Sequence, residues 1–444
     1  MDHFRICVIG AGPTGLTTVK NLTEAGLTDL VCHEAQDATG GIWAYSDDPH
    51  RPSVYESAHT ISSKRLSQFP DFPMPEDYPD YPSNRQILDY MRAYEAHFGL
   101  SRYIRLNSKV TAARPRESGG WTITFEDASG SRSHTADYLI VCSGHHREPF
   151  TPDLPGSFSG TQLHAAQYKR PEGFAGKKVL VVGGGNSACD IAAALSRVAD
   201  HVSLSIRSPQ VIVPKLVGGR PLDVQFAKLH RPHIRWARDF LLKLGLTAVV
   251  GPYERYGLQQ PTGPVMSHHP TLNTDILDRI RHGKVTARPG LTKADGRRVT
   301  FADGSGSEFD AVIWATGYKF EAEFLEEICR GWSDATQLPL YLKMMLADRD
   351  DLYFVGLIQP IGCIWVLADL QAKIAAAEIS GVWKRPNDIA VRIERELRRD
   401  AKRYKASRRH AVQVDMYGYS EELNTILRAA ETARRAGAVS ARRA

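Results

Sequence analysis

The pattern that most constrains the fold lies at the start of the chain, where a glycine-rich turn follows a short apolar run. Residues 4–15 read FRICVIGAGPTG, with Gly10, Gly12 and Gly15 at GxGxxG spacing. The β-branched residues before the turn predict a buried parallel strand, and the following LTTVKNLTEAGL predicts a helix that ends at glycine. Together, strand, turn and helix predict the opening of a dinucleotide-binding βαβ unit.

Each glycine of this turn has its own physical task. Gly10 permits the tight turn, Gly12 lets backbone N–H groups approach a pyrophosphate, and Gly15 lets the helix pack closely on the strand. The helix N-terminus then faces the anion. A second predicted strand ends at Glu34, where a ribose hydroxyl needs an acceptor. A turn selected for packing alone is the alternative, and Glu34 makes it the weaker interpretation.

A second unit of the same kind lies in the middle of the chain. Residues 177–190, KKVLVVGGGNSACD, repeat the strand, turn and helix, with Gly183, Gly185 and Ala188 at GxGxxA spacing. The next predicted strand ends before Arg207 instead of an acid. An acid at this position suits a free ribose hydroxyl, whereas an arginine suits a 2′-phosphate. The two units therefore predict two different dinucleotides, one of them NADP, with a surface cation as the alternative for Arg207.

These two units determine the expected fold class. At 444 residues the chain exceeds a single ordinary core. We expect an α/β protein with two Rossmann-like, dinucleotide-binding domains. The first domain is expected to be discontinuous, over residues 1–170 and 284–444, with the second domain inserted over residues 171–283.

Charge and cysteine usage exclude several other classes. The net charge is +6, but the basic residues form no patch interleaved with aromatic residues, so nucleic-acid binding is not expected. Much of the positive charge lies near the C-terminus, where it fits a solvated helix face. The six cysteines lack CxxC spacing, so we expect them to be small core residues of a protein in a reducing compartment. His268 and His269 have no acidic or cysteine partners at ligand spacing, so no metal site is expected.

The chain carries no apolar run long enough to span a membrane. The first predicted strand also begins too near Met1 for a signal peptide to precede it. We therefore expect a cytoplasmic protein without a membrane partner.

Several motifs together resemble the flavin-containing monooxygenases, which are group B flavoprotein monooxygenases. GAGPTG with Glu34 and GGIW resembles the family's flavin site, and GGGNSA resembles its NADPH site. Residues 158–168, FSGTQLHAAQY, match the family's identifying pattern FxGxxxHxxxY or F, and residues 315–318 match its ATGY segment. Further similarity in SSKRLSQFPDFPMPEDYP, LYFVGLIQPIG and LADLQAKIA extends the resemblance over nearly the whole chain. Baeyer–Villiger relatives usually end the identifying pattern with tryptophan and proline, where this chain has Tyr168 and Lys169.

The resemblance implies a reaction and its cofactors. NADPH is implied to reduce FAD by hydride transfer, dioxygen to add to the reduced flavin, and the resulting flavin 4a-hydroperoxide to oxygenate nitrogen or sulfur of a small soft nucleophile such as an amine or thioether. Alternatives with the same intermediate are Baeyer–Villiger oxidation of ketones and oxygenation of indole. A redox sensor that binds both nucleotides without turnover is a further alternative. A homodimer is also expected, and the family's long C-terminal membrane anchor is not found in this sequence.

The resemblance also selects candidate site residues. Asn84 aligns with the asparagine that the family places beside the flavin and is the candidate polar group near the reacting atoms; helix capping is its alternative. His164, in a segment that connects two units, is left outside the catalytic set. The cofactor-binding candidates are the glycines, polar residues and apolar neighbours of these motifs: Gly10, Gly12, Pro13, Gly15, Glu34, Gly41, Ile42, Trp43, Thr60, Ile61, Ser62, Gly183, Gly185, Asn186, Ser187, Ala188, Arg207, Thr316, Gly317, Gln359 and Gln371.

Overall fold

The computed structural model describes residues 1–229, 244–261, 270–404 and 411–441. His268 and His269 lie outside these residues. The strands, in chain order, are β1 (His3–Ile9), β2 (Leu30–His33), β3 (Ile104–Arg105), β4 (Lys109–Pro115), β5 (Trp121–Asp127), β6 (Gly130–Val141), β7 (Glu148–Pro149), β8 (Gly156–Phe158), β9 (Thr161–His164), β10 (Lys178–Val182), β11 (His201–Ser205), β12 (Ile212–Val213), β13 (Leu216–Val217), β14 (Arg220–Pro221), β15 (Thr271–Leu272), β16 (Val285–Arg288), β17 (Leu291–Gly296), β18 (Arg298–Phe301), β19 (Gly306–Glu308), β20 (Ala311–Trp314), β21 (Tyr318–Lys319), β22 (Leu352–Phe354), β23 (Gln359–Pro360) and β24 (Gln413–Val414).

The α-helices fall between and after these strands. Those with both ends within the described residues are α1 (Pro13–Glu24), α2 (Lys64–Ser67), α3 (Asn84–His97), α4 (Asn186–Leu195), α5 (Leu222–Leu229), α6 (Asp275–Arg281), α7 (Glu326–Cys329), α8 (Ile364–Ile379), α9 (Ile389–Arg403) and α10 (Met416–Ala441). Within the described residues, no helix combines the length and the apolar character that crossing a membrane requires.

The first unit is built on a seven-stranded sheet in which β6 occupies the centre. The strand order is β3-β2-β1-β6-β5-β4, and β22 also pairs with β6. The C-terminal half of β6 runs parallel to β1 and to β22, whereas its N-terminal half forms an antiparallel hairpin with β5. Residues 6–9 of β1 are buried as predicted, because helices cover the parallel part of the sheet, whereas Phe4 at the start of the strand is half-buried.

Helix α1 covers β1 and packs against α8 on its other side. This contact contains a small polar network in an otherwise apolar core. The carboxylate of Asp369, which is fully buried in α8, accepts hydrogen bonds from Thr17 Oγ1 at 2.7 Å and from Asn21 Nδ2 at 2.8 Å. Lys373 Nζ lies 2.7 Å from the second carboxylate oxygen. The buried carboxylate is therefore hydrogen-bonded and paired, as burial of a charge requires.

The second unit is inserted in the chain between β6 and β22. Its five strands are all parallel, in the order β16-β11-β10-β20-β9. A four-stranded sheet, formed by β8 and β17 to β19, packs against this five-stranded sheet. The contact between them is an apolar cluster that includes Val299, Phe301 and Phe309. The prediction of an α/β fold with two Rossmann-like units, the second inserted in the first, is confirmed.

The predicted limits of the inserted unit, residues 171–283, cut through this sheet. Three of its five strands, β9, β16 and β20, lie outside those limits, so the unit extends further on both sides. The glycine motif marks only the first strand, turn and helix of such a unit. The strands that complete the sheet are short apolar segments that pair far from that motif in sequence, and no local pattern assigns them to one sheet or the other.

The first glycine turn requires close contact between α1 and β1. Gly10 has a left-handed φ of 99°, and a Cβ there would lie 2.7 Å from the carbonyl oxygen of Cys142. A Cβ on Gly15 would overlap the carbonyl oxygen of Gly10 itself. The helix can therefore start directly above the end of the strand only because these positions lack side chains.

We expect Gly15→Ala to destabilise the protein by about 1–3 kcal/mol, because the methyl group forces α1 away from β1. Thermal or denaturant-induced unfolding measures the change. Gly173→Ala is the matched control, since a Cβ at that position meets no atom within 4 Å. Equal stability of the two variants would contradict this interpretation of the turn.

Candidate functional site

One large cavity lies between the two units and is lined by both glycine turns. Its volume is about 1620 Å³, and its walls include Gly10 and Gly12 from the first turn and Gly183 and Gly185 from the second. Pockets for single drug-sized ligands have volumes of about 300–1,000 Å³. The cavity therefore has room for more than one ligand of that size.

At the first turn, a helix N-terminus is open toward the cavity. Helix α1 begins at Pro13 after Gly12, and no side chain caps it. A Cβ on Gly12 would lie 3.5 Å from Gly41 Cα, so the backbone of residues 41–43 approaches the turn closely. Ile42 and Trp43 line the cavity beside it. Uncapped N–H groups at a helix N-terminus favour an anionic ligand.

Glu34 lies beside this turn with both carboxylate oxygens hydrogen-bonded to the backbone. Oε2 accepts from the N–H of Ala11 at 2.7 Å, and Oε1 accepts from the N–H of Gln36 at 2.9 Å. Burial raises the pKa of Glu34, although these hydrogen bonds act in the opposite direction. Each oxygen has a further lone pair, so Glu34 can also accept from a ligand hydroxyl.

Next to Glu34, the rings of two histidines, His33 and His134, form a hydrogen-bonded pair. His33 Nε2 lies 2.9 Å from His134 Nε2, and His33 Nδ1 lies 2.7 Å from Ser108 Oγ. Burial lowers the pKa of His33 to about 3, so the ring is neutral. The thiol of Cys7 completes a buried group of potential metal ligands. Both ring nitrogens of His33 already have hydrogen-bond partners within the protein, and of these three residues only His33 lines the cavity.

The second turn repeats the open helix N-terminus. Helix α4 begins at Asn186 after Gly185, without a side-chain cap. A Cβ on Gly185 would meet no atom within 4 Å, so the turn faces open space. Asn186 Oδ1 accepts from the N–H of Leu272 at 2.9 Å, and its amide N–H groups, which have no partner among the described residues, can bind a ligand. Ser187 also lines the cavity.

Arg207 follows β11 and lines the cavity near the second turn. Its side chain is exposed and packs over Gly290, where a Cβ would lie 3.1 Å from Arg207 Cγ. The guanidinium group therefore stands at the cavity wall, where an arginine suits a phosphate group on a ribose.

Residues 51–63, which we call the wall segment, run between the two turns. Tyr55, Thr60, Ile61 and Ser62 of this segment line the cavity. Thr60 Oγ1 is buried and has no hydrogen-bond partner in the described structure, and the same is true of Ser143 Oγ on another wall. Buried polar atoms without partners are rare in proteins and fit a site completed by a ligand.

Most of the sequence-predicted cofactor residues are thus brought to one cavity. Those that line it are Gly10, Gly12, Pro13, Glu34, Gly41, Ile42, Trp43, Thr60, Ile61, Ser62, Gly183, Gly185, Asn186, Ser187, Arg207, Thr316, Gly317 and Gln359. Gly15 and Ala188 are not among the lining residues. Their small size instead permits close packing of each helix on its turn.

Asn84 and Gln371 also lie outside the cavity lining. Asn84 is the first residue of α3 and is buried, and its Nδ2 lies 3.3 Å from the carbonyl oxygen of Tyr55. Gln371 is fully buried, where its Oε1 accepts from the N–H of Gly356 at 2.8 Å and its Nε2 donates to the Leu342 carbonyl at 3.2 Å. Both amides hold backbone segments that line the cavity or lie next to it.

Two histidines that the sequence analysis left out also line the cavity. His145 Nε2 lies 3.1 Å from Gln359 Oε1, and burial lowers the pKa of His145. His164 Nε2 donates to the carbonyl of Gly317 at 3.0 Å, while its Nδ1 accepts from the N–H of Ala166 at 3.1 Å. Burial lowers the pKa of His164, in agreement with a neutral ring. The sequence does carry a signal for His145, because this residue directly follows an apolar run that ends at Gly144.

Comparison with known proteins agrees with this site. Residues 3–433 match the family model of the flavin-binding monooxygenase-like proteins. The chain is 34% identical to flavin-containing monooxygenase 5 of Homo sapiens, over 95% of this chain and 82% of that protein. It is 32% identical to dimethylaniline monooxygenase [N-oxide-forming] 2 of Rattus norvegicus, over 94% and 82% of the two chains.

A solved structure shows the same fold at lower sequence identity. The S-allyl-L-cysteine S-oxygenase of Allium sativum superposes with a TM-score of 0.69 at 22% identity, covering 96% of this chain and 88% of that one. The match to the family model spans both units and the cavity between them. The chain therefore belongs to the flavin-binding monooxygenase-like family and is an FAD-dependent monooxygenase that uses NADPH.

Proposed function

We propose that this protein oxygenates nitrogen or sulfur in small soft nucleophiles such as amines and thioethers. The observation that carries the proposal is the single cavity lined by both glycine turns, because it can hold the two nucleotides in contact. The names of two similar proteins, an N-oxide-forming monooxygenase and an S-oxygenase, support these two substrate classes. Bound FAD would supply the oxygen chemistry, through the flavin 4a-hydroperoxide that the sequence resemblance implies.

The residues of the first turn fit the role of holding FAD. The uncapped N–H groups at the start of α1 would bind its pyrophosphate, and Glu34 would accept a hydrogen bond from a ribose hydroxyl. Thr60 Oγ1 and Ser143 Oγ, buried without partners in the described structure, would gain hydrogen bonds from the bound cofactor. Asn84 would act through Tyr55, whose carbonyl it holds, and not by touching the flavin.

The residues of the second turn fit the role of holding NADPH. The N-terminus of α4 would bind the pyrophosphate, with the free amide group of Asn186 and the hydroxyl of Ser187 beside it. Arg207 would bind the 2′-phosphate. This assignment explains why the two units carry different residues after their second strands.

The side chains at the centre of the cavity are suited to positioning and to excluding water. Burial lowers the pKa of both His145 and His164, and hydrogen bonds fix the two rings, His145 to Gln359 and His164 to the Gly317 carbonyl. Trp43 stands edge-on to Trp365 at a centroid distance of 5.9 Å, and both rings line the cavity. Apolar walls keep water from a reactive oxygen species, which would otherwise be lost as hydrogen peroxide.

Other predictions from the sequence remain predictions. Baeyer–Villiger oxidation of ketones and oxygenation of indole are the alternative reactions, and a redox sensor without turnover is the alternative role. The expected homodimer and the cytoplasmic location likewise remain predictions.

The proposed reaction is tested with the FAD-loaded protein, NADPH and isotopically labelled dioxygen. We expect a thioether and a tertiary amine each to yield a sulfoxide or N-oxide with one labelled oxygen atom, because one atom of dioxygen is transferred and the other leaves as water. Mass spectrometry of the products and NADPH consumption give the coupling. A cyclic ketone and indole serve as competing substrates. Preferred formation of an ester or of oxidised indole would contradict the proposal, as would NADPH oxidation that yields only hydrogen peroxide.

The assignment of Arg207 is tested by Arg207→Ala. Loss of charge-assisted hydrogen bonds worth about 1.5–3 kcal/mol should raise the Kd for NADP⁺ roughly 10- to 100-fold and leave the Kd for NAD⁺ nearly unchanged. Titration calorimetry measures both constants. Arg428→Ala, which removes an exposed arginine on α10, is the control. An equal loss of affinity for both nucleotides, or none, would show that Arg207 does not bind the 2′-phosphate.

A further inference from the structure

The wall segment belongs to the first unit but is held by side chains of the second. Lys169 Nζ donates to Ser53 Oγ at 2.7 Å and to the Arg51 carbonyl at 3.1 Å. Lys215 Nζ donates to the Thr60 carbonyl at 3.1 Å. These contacts fix the two ends of the segment that separates the glycine turns. A shift of one unit relative to the other would therefore move this segment.

A direct side-chain link lies at the middle of this segment. The hydroxyl of Tyr55 donates to Asp190 Oδ2 at 2.8 Å, and both residues line the cavity. Asn273 Nδ2 donates to Asp190 Oδ1 at 2.6 Å, and Asn273 is itself fixed because its Oδ1 accepts from the N–H of Ile276 at 2.7 Å. Both carboxylate oxygens thus have a defined partner, one in each unit.

Asp190 lies in the second turn of α4, close to the N-terminus of the helix. It follows Asn186 by four residues and so lies on the same face of the helix, one turn further along. Burial raises the pKa of Asp190, while Lys215 and the two hydrogen bonds act in the opposite direction. The groups that face this carboxyl from the first unit are Tyr55 and, at longer range, His59. A tilt of α4 would stretch the Tyr55 hydrogen bond directly.

We propose that Tyr55 and Asp190 are positioning residues that fix the NADPH-binding helix against the wall of the flavin site. The hydroxyl of Tyr55 sets the distance between the wall segment and α4, and thereby the distance between the two bound nucleotides. The inference rests on the proposed assignment of α4 to NADPH. Displacement of reacting groups by about 1 Å can lower a rate by roughly 100-fold, so a single hydrogen bond at this place has a measurable effect.

The test is Tyr55→Phe in the FAD-loaded protein. We expect the rate of flavin reduction at saturating NADPH to fall at least tenfold, and NADP⁺ to dissociate faster, with a Kd raised severalfold. The fraction of NADPH electrons released as hydrogen peroxide should rise, because NADP⁺ no longer stays in place. FAD content and the midpoint of thermal unfolding without NADP⁺ should change little, because the phenyl ring keeps the packing of Tyr55 and Asp190 keeps its hydrogen bond from Asn273.

Tyr90→Phe is the matched control. It also removes a buried tyrosine hydroxyl, but the hydrogen-bond partners of that hydroxyl, the Phe69 N–H and the Phe72 carbonyl, both lie in the first unit. We expect Tyr90→Phe to lower thermal stability without changing NADP⁺ affinity or peroxide release. If Tyr55→Phe behaves in the same way, the Tyr55 bond is merely structural and the inference is wrong.

Asp190→Ala and the double variant identify the partner. If the tyrosine acts through the carboxylate, the double variant should be no more impaired in NADP⁺ affinity than Asp190→Ala alone, because coupled residues are not additive. Additive losses would overturn the inference. Arg207→Ala separates this outcome from a failure of the proposed NADPH site. If NADP⁺ binds more weakly to Arg207→Ala but equally well to Tyr55→Phe, the proposed NADPH site is supported and the positioning role of Tyr55 is wrong.

Discussion

The close approach of α1 to β1 is the constraint on which the rest of the structure depends. With no side chain at Gly15, the helix starts directly above the carboxyl end of the strand, and its free N–H groups point outward from the sheet. The second unit repeats the arrangement with Gly183, which has a φ of 140°, and with Ala188, which is fully buried. Because each parallel sheet directs a helix N-terminus toward the same space, two anion sites face one cavity.

The wall segment lines the cavity that these two sites share. It is irregular in structure, and its backbone is held by Lys169 and Lys215 from one side and by Asn84 from the other. Irregular backbone in a protein interior needs such partners, since an unpaired buried carbonyl or N–H group is costly. The lysines and the amide therefore serve the geometry of the cavity. Asn84 thus supports the wall of the cavity although it lies outside the cavity lining.

The sequence was informative wherever function required a local pattern. The glycine spacing, the position of Glu34 and the exchange of acid for Arg207 are each readable within one βαβ unit, and the structure brings all of them to the cavity. Ser83 likewise caps α3 as its residue type suggests, with Gln86 completing the capping box.

Features that depend on distant residues could not be predicted. The strands β9, β16 and β20 are not followed by a glycine turn that would assign them to the second unit, so the limits of the inserted unit were set too narrowly. Tyr55 and Asp190 are 135 positions apart, and nothing in either neighbourhood indicates the other. Gln371 was selected by resemblance, but its amide is used within the core. Pairing across a fold is decided by topology, which short patterns do not contain.

A crystal structure of the protein with FAD and NADP⁺ would show whether the two nucleotides share the cavity. We expect both nucleotides in the one cavity, with the FAD pyrophosphate at the start of α1, the NADP⁺ pyrophosphate at the start of α4, and the flavin and nicotinamide rings in van der Waals contact beside the wall segment. Rings held apart by protein, or an NADP⁺ pyrophosphate bound away from α4, would contradict this expectation.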